Sequence, residues 1–234
     1  MTNIEIRRAA QRFHTKLDWL DSWHSFSFGE HYDPGNMHHG LLRVLNDDIV
    51  RAGTGFGTHP HRDMEIVTWV LDGELEHRDS SGGHGVIYPG LAQRMSAGSG
   101  VTHSEMNHSA TTDVHLIQMW VLPDTHGIAP GYEQRDVGAE LDEGGLVAVA
   151  SGRGLAGAVT IHQREATLWA ARPAVGHTIE IADAPHVHLY VAKGSGSVDD
   201  EELHTGDAVR LTDAGARAFI GGNDGAEILI WETA

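Results

Sequence analysis

Apolar residues come along this chain in short runs that end abruptly at Gly, Asp or Pro. "MEIVTWVLDG", "VHLIQMWVL", "HLYVAKG" and "AEILIWE" are the plainest, each β-branched or aromatic and too brief for a helix. Helical spacing is weak, with brief candidates near residues 5–12 and after Pro130. Many short strands separated by turn signals predict an all-β chain, a sandwich or barrel with few short helices. No apolar run approaches the roughly 18 residues of a membrane span. The opening MTNIEIRRAAQRF also lacks the apolar stretch of a secretory signal. The expectation is a soluble, cytoplasmic protein with no membrane partner.

The pattern repeats faintly. "VLDGELEHRD…MSAGSG" in the first half has an echo in "VAKGSGSVDD…LTDAGAR" in the second. Both have an apolar strand ending in Gly (Gly73, Gly194), a polar hairpin, and a return strand reaching an Ala-Gly (Gly98, Gly215). Residues 124–146 are polar and turn-rich and suit a connector. Two similar β-barrel domains in tandem are expected, the first over residues 1–130 and the second, with the connector, over 131–234.

Composition narrows the chemistry. The 234 residues are 40% hydrophobic with 29 glycines, enough for real cores in a turn-rich fold. Cysteine is absent, so no disulfide framework forms and no thiolate can hold a metal. Any metal site must use nitrogen and oxygen ligands, which excludes iron–sulfur clusters and zinc ribbons. A formal charge of −17 without a basic run argues against a nucleic-acid surface, because phosphate contacts need clustered Lys and Arg. A protein partner stays compatible with it.

Two polar clusters stand out against the apolar strands. In "GFGTHPHRDMEIVTWVLDG", His59, His61, Asp63 and Glu65 occupy alternate positions. On one continuous strand they would share a face with Val67, Trp69 and Leu71. Burying such groups without partners costs about 1–3 kcal/mol each, and a bound metal ion would remove that cost. In "SAGSGVTHSEMNHS", His103, Glu105 and Asn107 alternate again behind a turn at Gly98 and Gly100. If the two strands are barrel neighbours, His59 and His61 converge with His103 and Glu105. Three neutral imidazoles and a carboxylate suit a first-row divalent metal, with iron, manganese, nickel, cobalt, copper and zinc all compatible. An octahedral ion held by four such groups keeps two positions for substrate or dioxygen.

These residues carry a resemblance. Gly53, followed after five residues by His-x-His and then by Glu65, resembles the first cupin motif, and "HSEMN" the end of the second. More specifically, "WLDSWHSFSFGEHYDPGNMHHGLLRVLNDD", "GTHPHRDMEIVTWVLDGELEHRDS", "MSAGSGVTHSEMN" and "GIAPGYEQR" resemble the pirin family of bicupins, whose bacterial members include quercetin 2,3-dioxygenases. The likeness is strong over residues 17–136 and looser elsewhere. It implies two tandem jelly-roll-like cupin domains and one metal per chain, usually Fe(II), on His59, His61, His103 and Glu105. In many other cupins the Glu65 position is the ligand. In pirin-like chains the second motif supplies it, which leaves Glu65 as a hydrogen-bond acceptor for a ligand imidazole.

The remaining candidates weigh less. His186 and His188 in "PHVHLYVAKG" form another His-x-His, but aligning Gly194 with Gly73 places Glu180 and Ala182 where His59 and His61 stand. No four-ligand set survives there, and the second barrel is expected to be structural. His38 and His39 read as loop residues. Trp19, Trp23, Phe26 and Phe28 either line a pocket or pack an N-terminal segment on the barrel, and Met95, Met106 and Met119 read as core fillers. The resemblance implies an enzyme that opens flavonols such as quercetin with dioxygen and releases carbon monoxide, Glu105 taking the substrate proton. The competing reading is a pirin-like regulator whose metal oxidation state sets affinity for a protein partner.

Overall fold

The structure, a computed structural model, describes residues 4–234. Met1–Asn3, the start of the segment read as no secretory signal, lie outside the described residues. Strands dominate, and the helical content is a short 3-10 turn at Ala9–Gln11 and a helix at Gly138–Asp142. Among the described residues no helix is long and apolar enough to cross a membrane. The all-β, two-cupin expectation holds.

Two sheets make the first half. A seven-stranded sheet runs in the order 131–136, 91–96, 65–72, 114–121, 42–50, 20–24 and 13–16. A four-stranded sheet runs 55–61, 101–107, 75–79 and 84–87. The second half is one nine-stranded sheet organised around the long strands His186–Val198 and Arg217–Thr233. Strand pairing crosses the halves at both ends. Ile4–Arg7 pairs with Ala208–Thr212 of the second half, and Gly131–Asp136 pairs with Leu91–Ser96 of the first. The stretch read as a connector therefore contains an edge strand of the first sheet.

Alternation decides what each sheet buries. On Glu65–Asp72, residues Val67, Trp69 and Leu71 join a core with Tyr190, Leu229 and Trp231 of the second half. Trp69 Nε1 donates to Glu227 at 2.7 Å, and Trp231 Nε1 points at Met119 Sδ at 3.2 Å. The opposite parity, Ile66, Thr68 and Val70, faces the four-stranded sheet of the first half. Trp69 is completely buried, so Trp69→Ala should cost about 3–5 kcal/mol by denaturant titration. A loss under 1 kcal/mol would contradict a shared core between the halves.

Met95 and Met119 are core residues as expected, while Met106 is only half-buried. The two echoed glycines behave alike, Gly73 at φ 78° and Gly194 at φ 76°.

Candidate metal centre

Cross-strand register builds the site. Gly55–His61 and Val101–Asn107 are antiparallel neighbours, with His103 opposite His59 and Val101 opposite His61. A register shift between His103 and Glu105 brings Glu105 opposite Phe56. Side chains at i and i+2 on both strands then share one face. The strands approach so closely at Gly55 that a Cβ there would strike the Glu105 carbonyl. At Gly98 the turn needs φ +47°, and a Cβ would meet the Ile128 carbonyl. That glycine sets the entry of the second strand.

The imidazole nitrogens converge. His59 Nε2 and His103 Nε2 lie 3.1 Å apart, and the ligating atoms of His59, His61 and His103 all fall within 4.8 Å of one another. His59 Nδ1–H donates to the Gly57 carbonyl at 2.7 Å, which leaves its Nε2 with the lone pair. His61 Nε2 is buried without a hydrogen-bond partner. Burial holds His61 down to about 4 and His103 to about 3, and the neighbouring imidazoles add to it. Three imidazole nitrogens facing one point, those of His61 and His103 kept neutral by burial, fit a divalent transition metal. Glu105 is buried and forms, with His103 and His77, a second group within the same 4.8 Å. The four expected residues are thus divided between two triples that share His103, Glu105 standing in the one that His77 completes. Gln118 Nε2 donates to Glu105 Oε2 at 2.6 Å, Thr68 Oγ1 to Oε1 at 3.4 Å, and Trp120 Nε1 to Gln118 Oε1 at 3.1 Å. The Trp120 ring stands edge-on to His61 with centroids 4.9 Å apart. Trp120 and Gln118 therefore position one imidazole and the carboxylate together.

Asp63 and Glu65 do not join them. The expected continuous strand breaks after His61. Asp63 adopts φ 49°, its carboxylate accepts the Gly127 N–H at 2.6 Å, and the chain passes from the four-stranded to the seven-stranded sheet. Alternation holds only within a strand, so the turn resets the face. Glu65 shares its parity with Trp69 and lies toward the second half, accepting from Ser96 Oγ at 2.8 Å with His162 Nδ1 at 3.5 Å. The expectation that Glu65 orients a ligand imidazole is corrected. Asn107 also leaves the site, its amide holding the carbonyls of Val50 and Thr112.

His77 was not anticipated. It sits opposite Glu105 on Leu75–Asp79, is fully buried, and pairs Nε2 with Asp79 Oδ2 at 3.0 Å. Its Nδ1 lies 3.4 Å from His103 Nδ1, and its ring stacks on Tyr132 at 4.7 Å. With the His77 proton committed to Asp79, His77 Nδ1 accepts from His103 Nδ1–H and directs His103 Nε2 at His59. The signal was in "LEHRD", where His77 and Asp79 alternate. His77→Phe should weaken metal affinity about 10–100-fold, measured by chelator competition. Unchanged affinity would show that His103 needs no orienting partner.

A cavity of about 840 Å³ opens at this centre, with His59, His61 and Glu105 in its wall. Trp19, Phe28, Phe56 and Trp120 give it aromatic walls. The same wall also carries Thr15, Ser22, His24, His31, Asn46 and Asp48, linked by hydrogen bonds. Thr15 Oγ1 meets His24 Nε2 at 3.0 Å and His31 Nε2 at 2.9 Å, His24 Nδ1 meets Asn46 Oδ1 at 2.8 Å, and Ser22 Oγ donates to Asp48. Burial pushes Asp48 up to about 7. Of the four aromatics singled out in the N-terminal segment, Trp19 and Phe28 line the cavity. Trp23 stacks on His14, and Phe26 is core.

The depressed imidazoles give a pH prediction for the metal-free protein. His39 is also held down to about 4 by burial. In the unfolded chain these groups titrate near 6.5, so below that pH the unfolded state binds protons the folded state refuses. Their stability contribution is complete above 6.5 and lost as pH falls through about 4. Asp48 acts oppositely, its contribution being lost as pH rises through about 7. Three imidazoles outweigh one carboxyl. The denaturation midpoint should fall between neutral pH and about pH 4, and one that rises toward acid would contradict this.

The second His-x-His takes another role. His186 packs against His39 at 5.2 Å, and His188 lies between the halves beside Phe26 and Arg210. His39, expected as a loop residue, docks its Nε2 on the Leu211 carbonyl at 3.0 Å.

Two β halves, with imidazoles and a carboxylate gathered in the first, define a bicupin with a metal-binding site. Family models agree, Pirin matching residues 5–121 and a quercetinase C-terminal cupin domain residues 148–232. The chain belongs to the pirin family. It is 41% identical to the quercetin 2,3-dioxygenase of Escherichia coli over 98% of both chains. A Mycobacterium tuberculosis relative, whose name gives that activity provisionally, is 56% identical over 98% of this chain and 94% of its own. The solved bacterial pirin YhhW from Escherichia coli, in complex with nickel(II), superposes with a TM-score of 0.91 at 38% identity over 98% of both chains.

Proposed function

We propose that this chain is a metal-dependent dioxygenase that opens flavonols such as quercetin, consuming dioxygen and releasing carbon monoxide. The observation that carries the reading is the cavity. His59, His61 and Glu105 stand in its wall, and its size lies within the range of small-molecule sites. His59, His61, His103 and Glu105 are the proposed ligands, and Fe(II) the proposed ion. A divalent metal bound there would supply Lewis acidity that lowers the pKa of a substrate hydroxyl and would activate dioxygen. The protein does the rest. Glu105 accepts the proton of the flavonol 3-hydroxyl, oriented by Gln118 and Thr68. Trp19, Phe28, Phe56 and Trp120 offer ring faces to a planar substrate and exclude water from the reacting carbons. The polar wall from Thr15 to Asp48 matches the hydroxyls on the outer rings of a flavonol, which an apolar pocket would leave unpaired.

Binding can be tested apart from turnover. Under nitrogen, quercetin added to the metal-loaded protein should shift its absorption to longer wavelength, the signature of a deprotonated 3-hydroxyl, and stay intact. Admitting air should consume it. A flavonol that binds without the shift, or is not consumed in air, would favour the regulatory reading.

A further inference from the structure

Polar residues form an unbroken row inside the first half. Gln134, Gln93, Thr68, Gln118, Asn46 and His24 stand in register across six neighbouring strands of the seven-stranded sheet. On the same face Leu91, Val70 and Leu116 pack along one side of the row, and Met95, Ile66 and Trp120 along the other. Polar groups in such a setting are costly to bury unless each finds a partner.

Glu105 meets the row at its middle, through Thr68 and Gln118. Beyond Gln118 the row leaves the metal centre, and Asn46 and His24 line the cavity. Neighbouring strands lie about 4.8 Å apart, so these two stand about 5 and 10 Å from Gln118 along the sheet.

Hydrogen-bond direction shows what this end of the row offers. An amide oxygen only accepts, so His24 Nδ1–H donates to Asn46 Oδ1 at 2.8 Å and His24 Nε2 carries the lone pair. The Thr15 hydroxyl donates to that nitrogen at 3.0 Å, and His31 Nε2–H donates to Thr15 Oγ1 at 2.9 Å. The Asn46 Nδ2 hydrogens take no part in this chain and serve the cavity. Two residues along the same strand face, Asp48 also lines the cavity. Ser22 Oγ donates to its Oδ1, which leaves Oδ2 as an acceptor. A donor beside an acceptor matches a hydroxyl, which accepts one hydrogen bond and donates another. An apolar group in that place would leave both unmatched. Trp19, Phe28, Phe56 and Trp120 line the same cavity and suit an aromatic ring as the carrier of that hydroxyl.

Given the dioxygenase reading of this cavity, on which the assignment rests, we propose that Asn46 and Asp48 determine substrate specificity. They select a flavonol that carries a hydroxyl remote from its reacting 3-hydroxyl over one that lacks it. Glu105 acts at the middle of the row, and Asn46 and Asp48 read the far end of the substrate.

Quercetin and 3-hydroxyflavone are the probes, because they share one ring frame and only quercetin has the remote hydroxyls. Under nitrogen the metal-loaded protein should bind quercetin about 100-fold more tightly, about tenfold for each of the two hydrogen bonds. Asn46→Leu removes the donor. Asp48→Asn keeps the shape and the bond from Ser22 but removes the acceptor. Each should reduce the preference to about tenfold. Equal dissociation constants in the native protein would overturn the assignment. So would variants that weaken both flavonols alike and leave their ratio unchanged, the mark of lost packing alone. Asn46→Leu also strands His24 Nδ1–H and can fail to fold, in which case Asp48→Asn decides. Flavonols bound with this preference but not consumed in air would remove the dioxygenase and keep the specificity. Consumption of both flavonols with equal affinity would do the reverse.

Discussion

Replacing His59 and His61 together with alanine is expected to abolish metal binding and, with it, flavonol turnover. The two imidazoles sit on one strand and supply two of the three nitrogens that converge within 4.8 Å. His103 and Glu105 alone are too few to hold a divalent ion against water. Elemental analysis of protein purified without added metal should fall from one metal per chain to near none. His186→Ala and His188→Ala should keep their metal, because those side chains pack against His39 and Phe26. His188→Ala should cost stability instead. A wild-type stoichiometry near two, or metal loss in either second-half variant, would show that the first half is not the sole metal site.

The next largest effect separates two carboxylates. Glu105→Gln should lose metal and activity together, since an amide is a weaker ligand and a poor proton acceptor. Glu65→Gln should keep both. Its carboxylate faces Ser96 and His162 on the far side of its strand, whereas Thr68, of opposite parity, reaches Glu105. The cost of Glu65→Gln falls on the contact between the halves, about 1–3 kcal/mol if the buried amide leaves Ser96 or His162 mismatched. Metal lost with Glu65 and retained without Glu105 would reverse the assignment.

The history of Glu65 shows what the sequence could and could not reveal. Alternation correctly grouped His59 with His61 and His103 with Glu105, because each pair lies within one strand. It failed across Asp63, where a left-handed residue carries the chain between sheets, a conformation uncommon outside glycine. The same limit hid His77. Its neighbour Asp79 was visible two positions on, but only the pairing of Leu75–Asp79 with Val101–Asn107 sets His77 opposite Glu105. Gln118 and Trp120 were concealed inside an apolar run, where one amide among "VHLIQMWVL" gives no sign of what it touches. The family resemblance rested on the motif residues themselves and on the unusual pairing of HPHRDMEI with THSE, so it was legible at once. The convergence of Arg7, His188 and Arg210 between the halves was not, because they are dispersed over the chain, share no motif, and meet only through strand register.

A metal held by His59, His61, His103 and Glu105, at which a flavonol is opened by dioxygen, is the proposal on which the other expected results depend. Isotopically labelled dioxygen tests it most directly. Metal-loaded protein, metal-free protein and Glu105→Gln should be given quercetin side by side, with the product ester and the carbon monoxide both quantified by mass spectrometry. Only the metal-loaded native protein should form product above the spontaneous background, with both atoms of dioxygen in the ester and one carbon monoxide released per flavonol. Equal rates in all three samples, or product without label, would contradict the account.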